Sequence, residues 1–173
     1  NNLQDWRVTN FIAKYSDCVE QVPDGGRVIL CDEFIGSGET VTKAAKWISG
    51  KLAEANKSAE IRVCAVAAMS QSKTRVCEIC PEFFAARWLR RGISDHFHGN
   101  DLTEAKFHME ELEKCLAAED ENRRLAKYAF GYNRAEAIYY RERGNVPNNV
   151  FPYFWWRREE NGSLRSPILK RAQ

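Results

Sequence analysis

Two acids followed by small residues mark the segment Val28-Ile29-Leu30-Cys31-Asp32-Glu33-Phe34-Ile35-Gly36-Ser37-Gly38-Glu39-Thr40. An apolar run ends in the adjacent carboxylates of Asp32 and Glu33. If that run is a strand of a parallel sheet, the acids stand at its carboxyl edge, where open α/β sheets bind ligands. Gly36, Ser37 and Gly38 then let the backbone curl with its N–H groups turned inward. Closing onto a helix N-terminus, such a nest is an anion site. The hydroxyls of Ser37 and Thr40 can donate to an anion or cap the helix. Acids for sugar hydroxyls thus lie beside donors for a phosphate, which is the layout of a ribose 5-phosphate. No lysine follows the glycines, as a Walker-type loop requires. The acids also precede the glycines, whereas a dinucleotide fold places its acid about 20 residues after them. The plain alternative is a strand-to-helix turn with an acidic cap. The ordered set of strand, acid pair, two apolar spacers and small-residue loop ending in Thr favours the binding loop.

This segment resembles the phosphoribosyl-pyrophosphate loop of type I phosphoribosyltransferases, in which a hydrophobic strand, two acids and two apolar residues precede a run such as Thr-Thr-Gly-Gly-Thr. The resemblance implies a ligand-binding set of Asp32, Glu33, Ile35, Gly36, Ser37, Gly38, Glu39 and Thr40. Asp32 and Glu33, also the candidate catalytic residues, would bind the ribose hydroxyls, directly or through Mg²⁺. Residues 37–40 would hold the 5-phosphate, mainly through backbone N–H groups. Gly36 and Ser37 depart mildly from the usual threonines. Glu39 departs more, because a carboxylate beside a phosphate is repulsive unless it points outward.

Later segments narrow the resemblance. Arg91-Gly92-Ile93-Ser94-Asp95-His96-Phe97, Phe130-Gly131-Tyr132, and Asn145-Val146-Pro147-Asn148-Asn149 leading to Trp155-Trp156 are similar to a divergent bacterial group of phosphoribosyltransferase-like proteins. That group is regarded as supplying effectors of anti-phage systems, some of them retron-linked. The resemblance spans about Arg27 to Trp156. It implies an α/β fold with a Rossmann-like parallel sheet of phosphoribosyltransferase type, of which this chain would be the C-terminal part. Asn148, Asn149 and Tyr153 become candidate base or partner contacts. Asn148 and Asn149 after Pro147 also suit an ordinary turn.

The elements that must position these residues follow from periodicity. Apolar residues from Leu3 to about Val19 fall at helical spacing, and Pro23-Asp24-Gly25-Gly26 breaks the chain in a turn. Arg27–Cys31 suits a strand covered on both faces. A loop over 32–40 leads to a helix with Val41, Ala44, Ala45, Ile48 and Leu52 on one side, then to a strand at Ile61–Met69. This βαβ order predicts parallel neighbouring strands. Thr74–Cys80 reads as a strand or extended loop, and Phe83–Leu89 as a helix with Pro81 near its start. A helix from Leu102 to about Ala118 follows, capped by Asp101, with Phe107, Leu112, Cys115 and Leu116 on its buried face. Ala135–Tyr140 reads as a strand and Val150–Trp156 as an extended aromatic segment. The expected division is a domain over 1–156 and a polar, frayed tail over 157–173.

Composition bounds the remaining possibilities. The chain has 173 residues, enough for one domain with a real core, and a formal net charge of +2 that gives no general affinity for polyanions. No apolar run reaches a membrane span and no signal-peptide pattern opens the chain. With Cys31 and Cys64 inside apolar runs, the six cysteines read as reduced thiols in a cytoplasmic protein. Cys77-x-x-Cys80 is half of a zinc site in spacing, which His96 and His98 could complete; His96-x-His98 reads more simply as a loop pair or satisfied helix-end residues. Arg87, Arg90, Arg91, Arg157 and Arg158 with Trp155 and Trp156 could form a nucleic-acid surface, but nearby acids dilute it.

Two function classes remain. One is an enzyme in which a nitrogen nucleophile attacks the anomeric carbon while pyrophosphate leaves. The other is a non-catalytic nucleotide-sensing or assembly module that keeps the fold. Only 31 residues precede Asp32, and they read as one helix and a turn. Either the pyrophosphate loop and mobile loop of the superfamily lie on a missing upstream segment or a partner, with a larger protein, a partner subunit or a homo-oligomer expected, or the site is incomplete, which favours the second class.

Overall fold

The computed structural model describes residues 11–141 and 145–170. Its elements are α1 (Tyr15–Gln21), β1 (Gly26–Ile35), α2 (Glu39–Glu54), β2 (Ala59–Met69), α3 (Ser72–Cys77), β3 (Phe83–Leu89), α4 (Gly99–Lys114), and the two-residue strands β4 (Glu119–Asp120) and β5 (Arg123–Arg124). The sheet is three-stranded in the order β1-β2-β3, and β4 pairs antiparallel with β5. Val63 N–H donates to Glu82 and Ser70 N–H to Leu89, so both pairs keep one offset, as parallel strands require. The fold is therefore the expected α/β class with a parallel sheet flanked by helices. Among the described residues no helix is long and apolar enough to cross a membrane.

The chain divides into two compact units: Asn1–Asp32, Gly38–Cys64 and Thr74–Phe84 form one, Glu33–Ser37, Ala65–Lys73 and Ala85–Gln173 the other. In the first, Val28 of β1 packs with Ile48 and Leu52 of α2 and with Cys18 and Val22, while Leu30 and Ile61 lie against that cluster. The stripe expected on α2 is the one buried: Val41, Ala44, Ala45, Ile48 and Leu52. The turn before β1 forms as expected. Gly25 takes a left-handed φ of 69°, and the Asp24 carboxylate accepts the N–H and hydroxyl of Ser58, which holds its pKa below the usual carboxylate value. In the second unit the core gathers Met69, Leu116, Ala137, Val146, Val150, Trp155 and Trp156, with a neighbouring cluster of Ile93, Phe130 and Phe151.

Several expectations are corrected. β1 is covered on one face: alternation puts Val28 and Leu30 against α2, while Ile29 and Cys31 on the other face are exposed. Phe83–Leu89 is a strand, because hydrogen bonding to β2 outweighs the helix preference of its Ala, Arg and Leu residues. Of Thr74–Cys80, expected to be a strand or extended loop, the part up to Cys77 belongs to helix α3. The first helix begins at Tyr15, with 11–14 irregular; the part expected over 3–10 lies outside the described residues. Helix α4 starts at Gly99 after His98, not at Asp101, and its inward face is Leu102, Ala105, Met109 and Glu113. Phe107, Leu112 and Cys115 are exposed. Ala135–Tyr140 makes a single bridge, Ala137 to Val150, and Pro152–Phe154 is a 3₁₀ turn. Nor is the segment after Trp156 frayed throughout. Glu159 bridges to Leu116, and Leu169 N–H donates to Phe154.

Candidate functional site

The hydrogen-bonded strand β1 runs on to Ile35, so Asp32 and Glu33 lie within it and the loop shrinks to Gly36-Ser37-Gly38. Gly38 is the N-cap of α2 at φ 76°, ψ −3°, a left-handed conformation that glycine adopts without strain. Neither Ser37 nor Thr40 is the N-cap, as had been expected, and the N-cap makes no side-chain hydrogen bond. Thr42 donates its hydroxyl to the carbonyls of Gly38 and Glu39 at 2.9 and 3.0 Å. Glu39 pairs with Lys43 one turn further on, at 2.5 Å, so its charge is balanced along the helix. Thr40 is exposed on the first turn.

Past Asp32, the strand end is tied to a distant segment. Tyr139 donates its hydroxyl to Glu33 at 3.2 Å, and Arg141 reaches the other oxygen of the same carboxylate at 2.5 Å. The Phe34 ring stacks on Tyr139 with centroids 4.4 Å apart and planes 10° apart. Arg141 had carried no signal in the sequence, since one arginine in a charged run is unremarkable. Tyr139 was legible only as part of the strand expected at Ala135–Tyr140.

The loop glycine meets the Pro-Asn-Asn segment. A Cβ placed on Gly36 would lie 2.1 Å from Asn149 Cγ and 2.2 Å from its Oδ1, so the amide of Asn149 occupies the space a side chain would need. Asn149 is itself gripped. Its Nδ2 donates to Tyr132 O at 3.1 Å, and its carbonyl accepts the Ala137 N–H at 3.0 Å. Asn148 accepts the Tyr132 N–H at 2.8 Å. Gly131, at φ 78°, has Asn149 O 1.9 Å from where its Cβ would stand. Thus the three motifs around Gly36, Gly131 and Asn149 are brought together.

The grip comes from a constrained stretch. Phe130, Gly131, Asn133, Arg134 and Glu136 all have positive φ. Left-handed backbone costs non-glycine residues energy and persists only where surroundings enforce it. Here the enforcers are specific. Buried Glu113 accepts the Phe130 N–H with both oxygens at 3.0 and 3.2 Å, buried Glu136 accepts the N–H groups of Ile93 and Ser94 and the Ser94 hydroxyl, and Gln71 donates to Ala135 O. After β3, Arg91 binds Asp95 through Nε and Nη2 at 2.9 and 2.7 Å. That pairing raises the guanidinium pKa and lowers that of Asp95.

The other candidates fall elsewhere. Tyr153 lies edge-on to Phe154 and beneath the Arg165 guanidinium. Trp155 and Trp156 are buried and donate their indole N–H groups to Val150 and Ala117 carbonyls, so they offer no stacking platform to a nucleic acid. The six cysteines are free thiols, Cys77 lies at the end of α3, and among the described residues no three His, Cys, Asp or Glu side chains converge as a metal site.

No curated protein and no solved structure matches the chain. The family model PRTase-CE matches residues 1–171, essentially the whole sequence. The chain therefore belongs to the PRTase-CE family, a phosphoribosyltransferase-like family.

Proposed function

We propose that this chain binds a ribose 5-phosphate ligand, phosphoribosyl pyrophosphate or a nucleotide, as an effector of a bacterial anti-phage system. The observation that carries the reading is the seating of Asn149 on Gly36. It joins the segment resembling a phosphoribosyl-pyrophosphate loop to the segment resembling the defence-linked group. The resemblance assigns the 5-phosphate to backbone N–H groups of residues 37–40 and the sugar hydroxyls to Asp32 and Glu33. A donor set of one or two carboxylates fits Mg²⁺, which is held largely by ligand phosphates and water. Asp32 and Glu33 would be its protein donors, and the ion would spread the charge of a departing pyrophosphate. In an enzyme, a nitrogen forms a bond to the anomeric carbon as the carbon–oxygen bond to pyrophosphate breaks; the chain's own contribution is orientation and fixed donors.

A second reading, a nucleotide-sensing or assembly module without catalysis, is favoured by one observation. The Glu33 carboxylate already holds Arg141 and Tyr139. A ligand that displaces Arg141 would report its presence through the 139–141 segment. Calorimetry with phosphoribosyl pyrophosphate and Mg²⁺ tests binding, and release of pyrophosphate on adding a nitrogen acceptor separates enzyme from sensor. Absence of any binding heat rejects both readings.

A further inference from the structure

We propose that Glu113 is a positioning residue for the Gly36 loop, acting through Phe130, Gly131 and Asn149; the inference deepens the ribose-phosphate reading and rests on it for the ligand. Glu113 occupies the last turn of the apolar stripe Leu102, Ala105 and Met109 on α4, a place where a hydrophobic residue would ordinarily sit. Its carboxylate is buried and satisfied by one backbone group, the Phe130 N–H. Phe130 is a bulky residue at φ 57°, so it needs such an anchor to stay left-handed. Gly131 follows, with the Asn149 carbonyl standing where its Cβ would be, and Tyr132 O takes the Asn149 amide that lies over Gly36. A charge-assisted hydrogen bond at one end of this line of contacts therefore sets the backbone at the other.

The groups facing Glu113 are few. Glu110, on its own helix, opposes the ionised form. Arg134, whose guanidinium lies 4.5 Å from the centre of the Phe130 ring, favours it. The Pro152–Phe154 turn packed on α4 brings no charge. Burial outweighs the Phe130 hydrogen bond and Arg134, and raises the carboxyl to about 7. The anchor thus changes charge in the neutral range, where ordinary glutamates stay ionised.

The test is amide NMR of the full chain across neutral pH, following Phe130 N–H, Gly36 N–H and the Asn149 side-chain NH₂. All three are expected to titrate together with a midpoint of about 7. In E113Q the Gly36 and Asn149 signals should be flat. Should E113Q fail to fold, E113D replaces it, and the shared midpoint should move. Signals that still titrate in E113Q overturn the proposal. So do Gly36 and Asn149 signals that stay flat while Phe130 titrates. Adding phosphoribosyl pyrophosphate with Mg²⁺ to the same samples separates the two claims. If Gly36 does not respond to the ligand, the ribose-phosphate reading fails while the linkage from Glu113 to Gly36 stands.

Discussion

The side-chain amide of Asn149 lies where a Cβ on Gly36 would be, 2.1 Å from Cγ to that position. A glycine in a strand-to-helix loop is usually explained by backbone freedom. Gly36 is instead glycine for lack of room, since its own φ is not left-handed.

Gly36→Ala should therefore cost about 1–3 kcal/mol, the range for overpacking a tight contact. Most of that cost should vanish in an Asn149→Gly background, giving a coupling of at least about 0.5 kcal/mol in a double-mutant cycle. Urea unfolding of the four proteins measures it. Strict additivity would mean that the two residues do not touch.

Gly131→Ala should be the more damaging substitution. Its Cβ would stand 1.9 Å from a backbone oxygen, which cannot rotate away, and φ 78° adds strain of roughly 1–2 kcal/mol. A lower stability than Gly36→Ala in the same urea series is expected. Equal or higher stability would place the Asn149 carbonyl elsewhere.

How much of this was legible in the sequence depends on where the determining contacts lie. β1, α2 and β2 were legible as elements because apolar content is local: the run Val28–Cys31, then Ala44, Ala45, Ile48 and Leu52 at helical spacing; that only Val28 and Leu30 of β1 would be covered was not legible. Phe83–Leu89 was not, because pairing with β2 decides it. The inward face of α4 was misread because its fourth member is Glu113, and a carboxylate in an apolar stripe is discarded by any hydrophobic pattern. The acid pair and the glycines of the loop were legible as types. Their partners Tyr139 and Arg141 were not, since they follow the left-handed backbone at Phe130–Glu136, which leaves no composition signal, and Glu113 was not, since it is the carboxylate in the apolar stripe of α4.

Arg141→Ala should leave stability within about 1 kcal/mol of the parent, because both members of the Glu33 pair are largely solvated and such pairs contribute little. If Glu33 takes a sugar hydroxyl, removing its competitor should tighten binding of the ribose-phosphate ligand. Thermal unfolding and calorimetry measure the two effects. Loss of binding would make Arg141 a ligand contact instead of a competitor.

Glu113 also makes a stability prediction. Its carboxyl rises from 4.5 to about 7 in the folded chain, so the folded state binds the proton more tightly than the unfolded one. The contribution is fully present below pH 4.5 and is lost as pH rises through about 7, by at most about 3 kcal/mol. E113Q should lack this slope. Parallel stability–pH curves for parent and E113Q would contradict it.

The most direct measurement is calorimetry of phosphoribosyl pyrophosphate with Mg²⁺ against the parent chain and against a variant carrying Asp32→Ala and Glu33→Ala together. Saturable binding to the parent, lost or strongly weakened in the folded double variant, is the predicted result. No binding to the folded parent, or equal binding to both proteins, would contradict the assignment of the Asp32–Thr40 segment to a ribose phosphate.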